Sequence, residues 1–394
     1  MRAARLVQLI MVALLLSLLP ATAGASDMPR LDESMHRGAN NLARLYAQIL
    51  RDPTNTELNL QYGQLAEELG EPRKALAAYE RILANDPDNH EAQQALMRVR
   101  RKIQPNTTQI IVEFGTAWES NPRRVSFGER GDWEALARMT LKDERALGSL
   151  RWRTIGTLIG NIYRRNGDLS YGYAGGYMGP VIDLNPNLRV HAALGGGVSY
   201  FDHRRLYSEA ITNLTFESFM WSAIQTVRIR SGYRSYDDFF PSDHGFYTDV
   251  IGKFSFPKVL ASDDVFIISP WFRWSGISGT GFSLINPFEE VQAGKYQEYG
   301  GKLEYYKRML EWLTLGANVS FSQRNYASSQ DILTLMTIHR KDLLFSPGAT
   351  TIFHRFAGFN TDLRIDYRYE HNDSSEAFKD YINHVGTIAA TVRF

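Results

Sequence analysis

The 394-residue chain has no cysteine. Disulfides, on which small secreted domains often depend, are therefore excluded, and stability must come from elsewhere. Charge of one sign is also missing. There are 44 Lys and Arg against 43 Asp and Glu, which leaves no basic excess for nucleic acid. After residue 25 no segment approaches 18 consecutive apolar residues, so no helix is expected to span a bilayer. No H-E-x-x-H or similar metal spacing occurs. The glycine run "ALGGG" (193–197) lacks the Lys-Ser/Thr that would make it a phosphate loop. No metal and no cofactor is expected.

What is present begins with a leader. Arg2 and Arg5 precede the apolar run "LIMVALLLSLL", followed by Pro20 and "ATAGA". This order is that of a secretory signal, too short to span a membrane, with cleavage expected after Ala25. Loss of the two arginines takes the formal charge from +1 to just below zero. The mature chain is expected to leave the cytoplasm.

Glycine and aromatic residues are abundant after residue 107 and scarce before it. That shift divides a helical segment, 26–104, from a second domain, 105–394. The helical segment carries an echo: "DPTN" begins at Asp52 and "DPDN" at Asp86, an offset of 34 residues, the tetratricopeptide period. Tyr62 and Gly63 fill the Leu-Gly positions, Ala75 the small position, Tyr79 the large aromatic and Pro87 the closing proline. Asn59 stands where tryptophan is usual. Helices are expected at about 39–51, 55–69, 73–85 and 89–103. Leu58, Tyr62, Leu65 and Leu69 share one stripe of the second. The polar residues Glu57, Gln64, Glu67, Glu91, Gln94 and Arg98 form a candidate peptide groove or, more plainly, a solvated face.

The second domain alternates with period two. In "TDLRIDYRYEH", Leu363, Ile365, Tyr367 and Tyr369 alternate with charged residues, and in "LTLGANVSF", Leu313, Leu315, Ala317, Val319 and Phe321 share one face. Fourteen such segments begin near residues 107, 132, 148, 168, 188, 207, 222, 245, 264, 296, 311, 340, 359 and 381. Odd connections are mostly long and even ones nearly all short. An even strand count with that rhythm predicts a transmembrane antiparallel β-barrel of the bacterial outer membrane, with the N-terminal segment in the periplasm. Lipid offers no hydrogen bonds, so the last strand must pair with the first. On the last strand Gly386, Ile388, Ala390, Val392 and Phe394 form the apolar register. It resembles the signal read by the barrel assembly machinery, while Thr387 and its register face the lumen. A barrel of about 14 strands encloses a water-filled or plugged interior.

Enzyme chemistry has weak footing. Asp237, Asp238, Asp243 and His244 share one outer connection and could activate water. His371, Asp373 and Ser374 crowd together on what reads as a short loop, but proximity in sequence is not triad geometry. "WFRW" (271–274) reads as an aromatic interface girdle.

A tetratricopeptide segment followed by such a barrel resembles the surface lipoprotein assembly modulator (modifier) family. The opening "GTAWESNP", with Gly115, Trp118, Glu119, Ser120 and Asn121, is similar to that family's. So are Arg340-Lys341-Asp342, "YRYEHNDSS" and the closing strand with Asn383, Val385 and Phe394. The resemblance covers 40–394, although the helical part is short for the family. It implies an outer-membrane protein that helps move lipoproteins or related proteins to the cell surface. The implied partners are lipid, the assembly machinery, and an exported lipoprotein or periplasmic chaperone; the barrel would be monomeric. Alternatives are an exopolysaccharide-secretion porin, a passive porin and, less favoured, an outer-membrane protease.

Overall fold

The computed structural model describes residues 31–103, 106–128, 130–147, 150–185, 187–220, 223–238, 243–278, 295–327, 329–330, 337–358, 360–376 and 379–394. The leader expected at 1–25 lies outside the described residues. The chain divides into two compact units between Val99 and Arg100.

The first unit has four helices, α1 (Leu31–Ile49), α2 (Thr56–Glu68), α3 (Pro72–Asn85) and α4 (His90–Ile103). The echoed D-P-x-N motifs are helix starts. Asn55 Oδ1 accepts the Leu58 N–H at 3.1 Å and Asn89 Oδ1 accepts the Ala92 N–H at 3.0 Å, capping α2 and α4. Each asparagine also donates to the aspartate three residues earlier. The unit's core is small residues against rings: Ala66, Ala75, Ala78 and Tyr79 are buried. A Cβ on Gly63 would stand 2.5 Å from Tyr79 Cε1, so only glycine fits beneath that ring. We expect Gly63→Ala to destabilise the helical unit by about 1–3 kcal/mol through overpacking. Circular dichroism of the refolded protein should show the helical signal melting earlier with the strand signal unmoved.

The second unit is a closed antiparallel barrel. Its first seven strands are β1 (Thr107–Glu119), β2 (Asp132–Leu147), β3 (Leu150–Tyr163), β4 (Tyr171–Asn185), β5 (Leu188–Phe201), β6 (Arg204–Met220) and β7 (Ala223–Tyr236). The next four are β8 (Gly245–Pro257), β9 (Asp264–Gly276), β10 (Lys295–Leu310) and β11 (Leu313–Tyr326). A two-stranded ribbon, β12 (Ser329–Gln330) and β13 (Thr337–Ile338), interrupts the order. β14 (Lys341–Phe353), β15 (Thr361–Ser374) and β16 (Tyr381–Arg393) then complete the wall. β14 pairs with β11, and β16 closes on β1 to give fourteen wall strands. Each begins within three residues of its expected start; the largest shifts are at Tyr171 and Arg204.

The closing seam pairs Ile111 with Arg393 through Glu119 with Val385. Ile110 and Phe394 exchange backbone bonds of 3.2 and 2.9 Å below it. A Cβ on Gly115 would meet Ile388 O and the Ala389 Cα, so β1 and β16 approach closely there.

The outward register is apolar. Phe114, Trp133, Leu194, Phe246, Phe321 and Ile388 are among its exposed side chains. Such a continuous apolar wall is tolerable against lipid and an aggregation surface in water. No described helix is long and apolar enough to cross a membrane; the strands are the spanning elements. Only two residues separate β2 from β3, β4 from β5, β6 from β7 and β10 from β11 at one rim, the turn rim, where β1 begins and β16 ends. The other rim carries most of the long connections. One connection there breaks the rhythm. β5 and β6 are joined by Asp202-His203 alone, both at positive φ (47° and 61°), a tight hairpin turn.

Candidate functional site

The inward register of the barrel carries the chemistry. Near the turn rim, Glu144 holds Arg151 at 2.9 Å and Arg153 at 2.8 Å; Arg153 also holds Glu217 at 2.6 Å. Arg189 pairs with Asp183 at 2.9 Å. His191, fully buried, lies with Nε2 3.2 Å from Arg153 O.

Two more clusters fill the loop half. Glu209 accepts from Tyr247 Oη at 2.7 Å, Tyr173 Oη at 2.9 Å and Arg234 Nε at 3.2 Å, and Arg230 also bonds it. Glu298 accepts from Arg324 Nη2 at 2.6 Å and Trp271 Nε1 at 2.8 Å. Trp271 and Arg273 therefore point into the lumen, whereas Phe272 and Trp274 are exposed on the outer register. "WFRW" is half girdle and half lumen, because successive strand residues face opposite ways. Asp342 is held by Arg340 Nε at 2.8 Å and by Ser374 Oγ at 2.7 Å.

The β1–β2 connection folds inward onto this half. Asn121 N–H donates to Asn383 Oδ1 at 2.9 Å, and Asn383 Nδ2 donates to Glu119 Oε2 at 2.9 Å. Arg124 reaches Glu370 at 3.2 Å and Glu119 at 3.4 Å. Burial alone would lower the Arg124 guanidinium, but the charges of Glu370 and Glu119 raise it well above its ordinary value. Its backbone sits in the left-handed region, φ 51°, a conformation costly for arginine and held here by those contacts. Arg123 pairs with Asp168 at 2.7 Å, and Ser126 Oγ donates to Asp380 O at 2.7 Å. The connection is thus a latch tied to β15, β16 and two neighbouring loops. Beside it lies a cavity of about 260 Å³ lined by Arg124, Arg273, Arg324, Arg340, Trp271 and Tyr381, with Glu298, Asp342 and Glu370 completing its charges.

Glu119, Ser120, Asn121 and Asn383, quoted above from opposite ends of the chain, thus meet at the closing seam. His384 N–H donates to Ser120 Oγ at 2.8 Å there. Sequence reasoning missed Arg124 and the Glu144, Glu209 and Glu298 clusters. Their signal was available as charged residues repeating on the inward register, but the sequence does not say which of them meet across the lumen.

The candidates for water activation have other work. Asp237 pairs with Arg205 at 3.2 Å, and His244 Nδ1 accepts the Tyr236 N–H at 3.1 Å. His371, Asp373 and Ser374 lie on β15 and not on a loop. Ser374 bonds Asp342 in the lumen, while the exposed His371 and Asp373 occupy the opposite register. Among the described residues no group of three metal-ligating side chains forms a metal site.

On β16, Ile388 is exposed on the outer register with Gly386, Ala390 and Val392, and Phe394 is 72 % exposed. Tyr62, Gly63, Ala75 and Tyr79 are buried in the helical unit; Pro87 is exposed. Asn59, where tryptophan was missing, is buried: it donates to Pro53 O at 3.0 Å and accepts from Arg81 Nη1 at 2.7 Å.

The helical groove residues pair among themselves. Gln64 Nε2 donates to Glu91 Oε1 at 3.3 Å, and Glu67 receives Arg98 at 2.6 Å and Tyr79 Oη at 3.1 Å. The Tyr79 hydroxyl is raised above its ordinary pKa by burial and by the Glu67 charge. Glu67 is therefore part of the unit's framework, while Glu57, Gln64, Glu91 and Gln94 are exposed and can be changed without orphaning a buried group.

A tetratricopeptide repeat model matches residues 56–99. No curated protein matches the chain. Solved barrels similar to it include the outer membrane channel DcaP of Acinetobacter baumannii, at 9% identity and a TM-score of 0.41, covering 73% of this chain and 97% of that one. OccAB3 of the same organism is similar at 9% identity and a TM-score of 0.37, covering 73% and 99%. OccK7 of Pseudomonas aeruginosa is similar at 9% identity and a TM-score of 0.35, covering 74% and 99%.

Proposed function

We propose that the chain is an outer-membrane conduit that helps move lipoproteins or related proteins from the periplasm to the cell surface. The observation that carries this reading is the union, in one chain, of a peptide-binding type of repeat with a barrel whose β1–β2 connection is tied inward across its loop half. Glu298, Arg340 and Glu370 are buried in that half, each in its own ion pair, with Arg324, Asp342 and Arg124 respectively. Short turns at the rim where β1 begins favour a periplasmic turn rim and an external loop rim. The helical unit, following a secretory leader, would then dock cargo or a chaperone in the periplasm. The periplasm holds no ATP, so binding or folding outside would drive transfer. The apolar register of β16 would serve the assembly machinery.

A second reading, a channel for small or saccharide solutes, is favoured by the arginine- and aromatic-lined cavity beside Arg124. Cargo display separates the two. Changing the exposed Glu57, Gln64 and Gln94 together to Lys spares Glu67, Arg98 and the buried core. Surface labelling of the exported lipoprotein should fall severalfold while barrel amounts stay normal. Unchanged display would remove the docking role and favour the channel.

A further inference from the structure

Charge is distributed unevenly around the turn half of the lumen. Arg138 and Lys142 of β2 share the inward register, opposite Glu113 and Gln109 of β1. Arg228 of β7 faces Ile251, and Lys253 of β8 faces Thr226, on the same inner surface. Among the described residues none of these four cations makes a close ion pair, although Lys142 acts electrostatically on Glu217. Between them, β3 to β6 contribute Arg151, Arg153 and Arg189 against Glu144, Asp183 and Glu217, which pair with one another. In the turn half, the arc from β2 to β8 therefore holds seven cations against three carboxylates, with Glu113 of β1 facing Arg138 at its edge.

The facing arc is balanced. Lys302 pairs with Glu304 at 2.7 Å, Arg364 with Asp366 at 2.7 Å, and Arg393 with Asp362 at 2.6 Å. Glu113 and Arg308, one of each sign, make up the rest of that register. The excess on the first arc is not demanded by the fold, because removing these four cations orphans no carboxylate: Glu217, on which Lys142 acts, keeps Arg153. Low-dielectric walls focus such a field onto whatever enters. Arginine forks and lysine point charges together suit carboxylate and phosphate oxygens.

We propose that this arc, on the inner face of β2 to β8, is a binding path for solutes bearing carboxylate or phosphate groups. It stands on the barrel alone and holds whether or not the helices dock cargo.

The cysteine-free chain makes a single introduced thiol a unique reporter. Thr140→Cys lies between Arg138 and Lys142 on the inward register, and Thr226→Cys faces Lys253. Asn318→Cys faces Glu304 on the balanced arc. In the full-length refolded protein, the rate ratio of an anionic to a cationic methanethiosulfonate reagent should be about tenfold higher at the first two positions than at the third. Adding Arg138→Gln with Lys142→Gln, or Arg228→Gln with Lys253→Gln, should collapse the ratio at the neighbouring thiol. Retained heat-modifiable migration would show that these variants fold. Citrate or inorganic phosphate should slow labelling of Thr140→Cys by a neutral maleimide, and the more effective of the two assigns the ligand; sucrose should not slow it. Equal ratios at all three positions would overturn the proposal. So would absence of protection by both anions, or failure of the first two thiols to react at all. Cargo display is a separate readout, so loss of the export reading leaves this one standing.

Discussion

Ile388→Arg should prevent stable insertion of the barrel, whereas Thr387→Arg should be tolerated far better. The two positions are adjacent on β16 and face opposite ways. Ile388 is 49 % exposed on the outer register, near the middle of the strand. An arginine there meets hydrocarbon and costs about 2–4 kcal/mol at mid-membrane. Ile388 also lies beside Thr116 on β1 and Ile365 on β15, so the disturbance falls on the closing seam. Thr387 lies inside, opposite Asp366, where a new guanidinium finds a carboxylate. Urea titration of the refolded variants in bilayers, followed by heat-modifiable migration, measures both. If Thr387→Arg proves the more damaging, the register of the last strand is inverted.

Strand period and turn chemistry made the wall legible before any coordinates. Alternation such as Leu313–Phe321 survives because one face must meet lipid and the other must not. The capping asparagines Asn55 and Asn89 made the helical starts legible in the same way. The loop rhythm was less faithful. The two-residue Asp202-His203 turn sits at the long-loop rim, and six residues, 258–263, join β8 to β9 at the short one. Turn length there follows local geometry: Asp264 accepts the N–H groups of Val259, Leu260 and Ala261 and so stabilises the longer turn. The lumen was hardest to read. That Arg153 faces inward follows from its register, but its bond to Glu217 crosses two intervening strands and depends on wall curvature. Glu67 shows the same limit in the helices. Its helical position suggests a free polar face, and only packing reveals Tyr79 and Arg98 around it. Asn59 is the converse, an apparent departure from the repeat that is satisfied by Arg81.

Removing the Arg124 side chain should release the β1–β2 latch. Glu119 and Glu370 are nearly fully buried, and Arg124 is the cation that both share. Deleting one partner of a buried ionic cluster leaves uncompensated charge and costs about 3–5 kcal/mol. Arg368 also holds Glu370, at 2.7 Å, and Asn383 bonds both carboxylates, which softens the loss on the β15 side. The connection can move outward without breaking any strand pairing, so the energy should be spent on opening and not on unfolding the wall. Arg124→Gly is the discriminating variant. Glycine accepts φ 51° without strain, so any effect is that of the lost ion pairs and not of the backbone. Single-channel recording in planar bilayers should show longer and larger openings for Arg124→Gly than for the unaltered protein. A cysteine at Ser126 should label faster in the Arg124→Gly background. Glu370→Gln removes one of the two carboxylates while leaving Arg124 paired to Glu119, and should open the barrel less. Conductance and labelling unchanged by Arg124→Gly would mean that the latch is not the closure, and the Glu298 and Arg340 clusters on the facing wall would then be the elements that close the loop half.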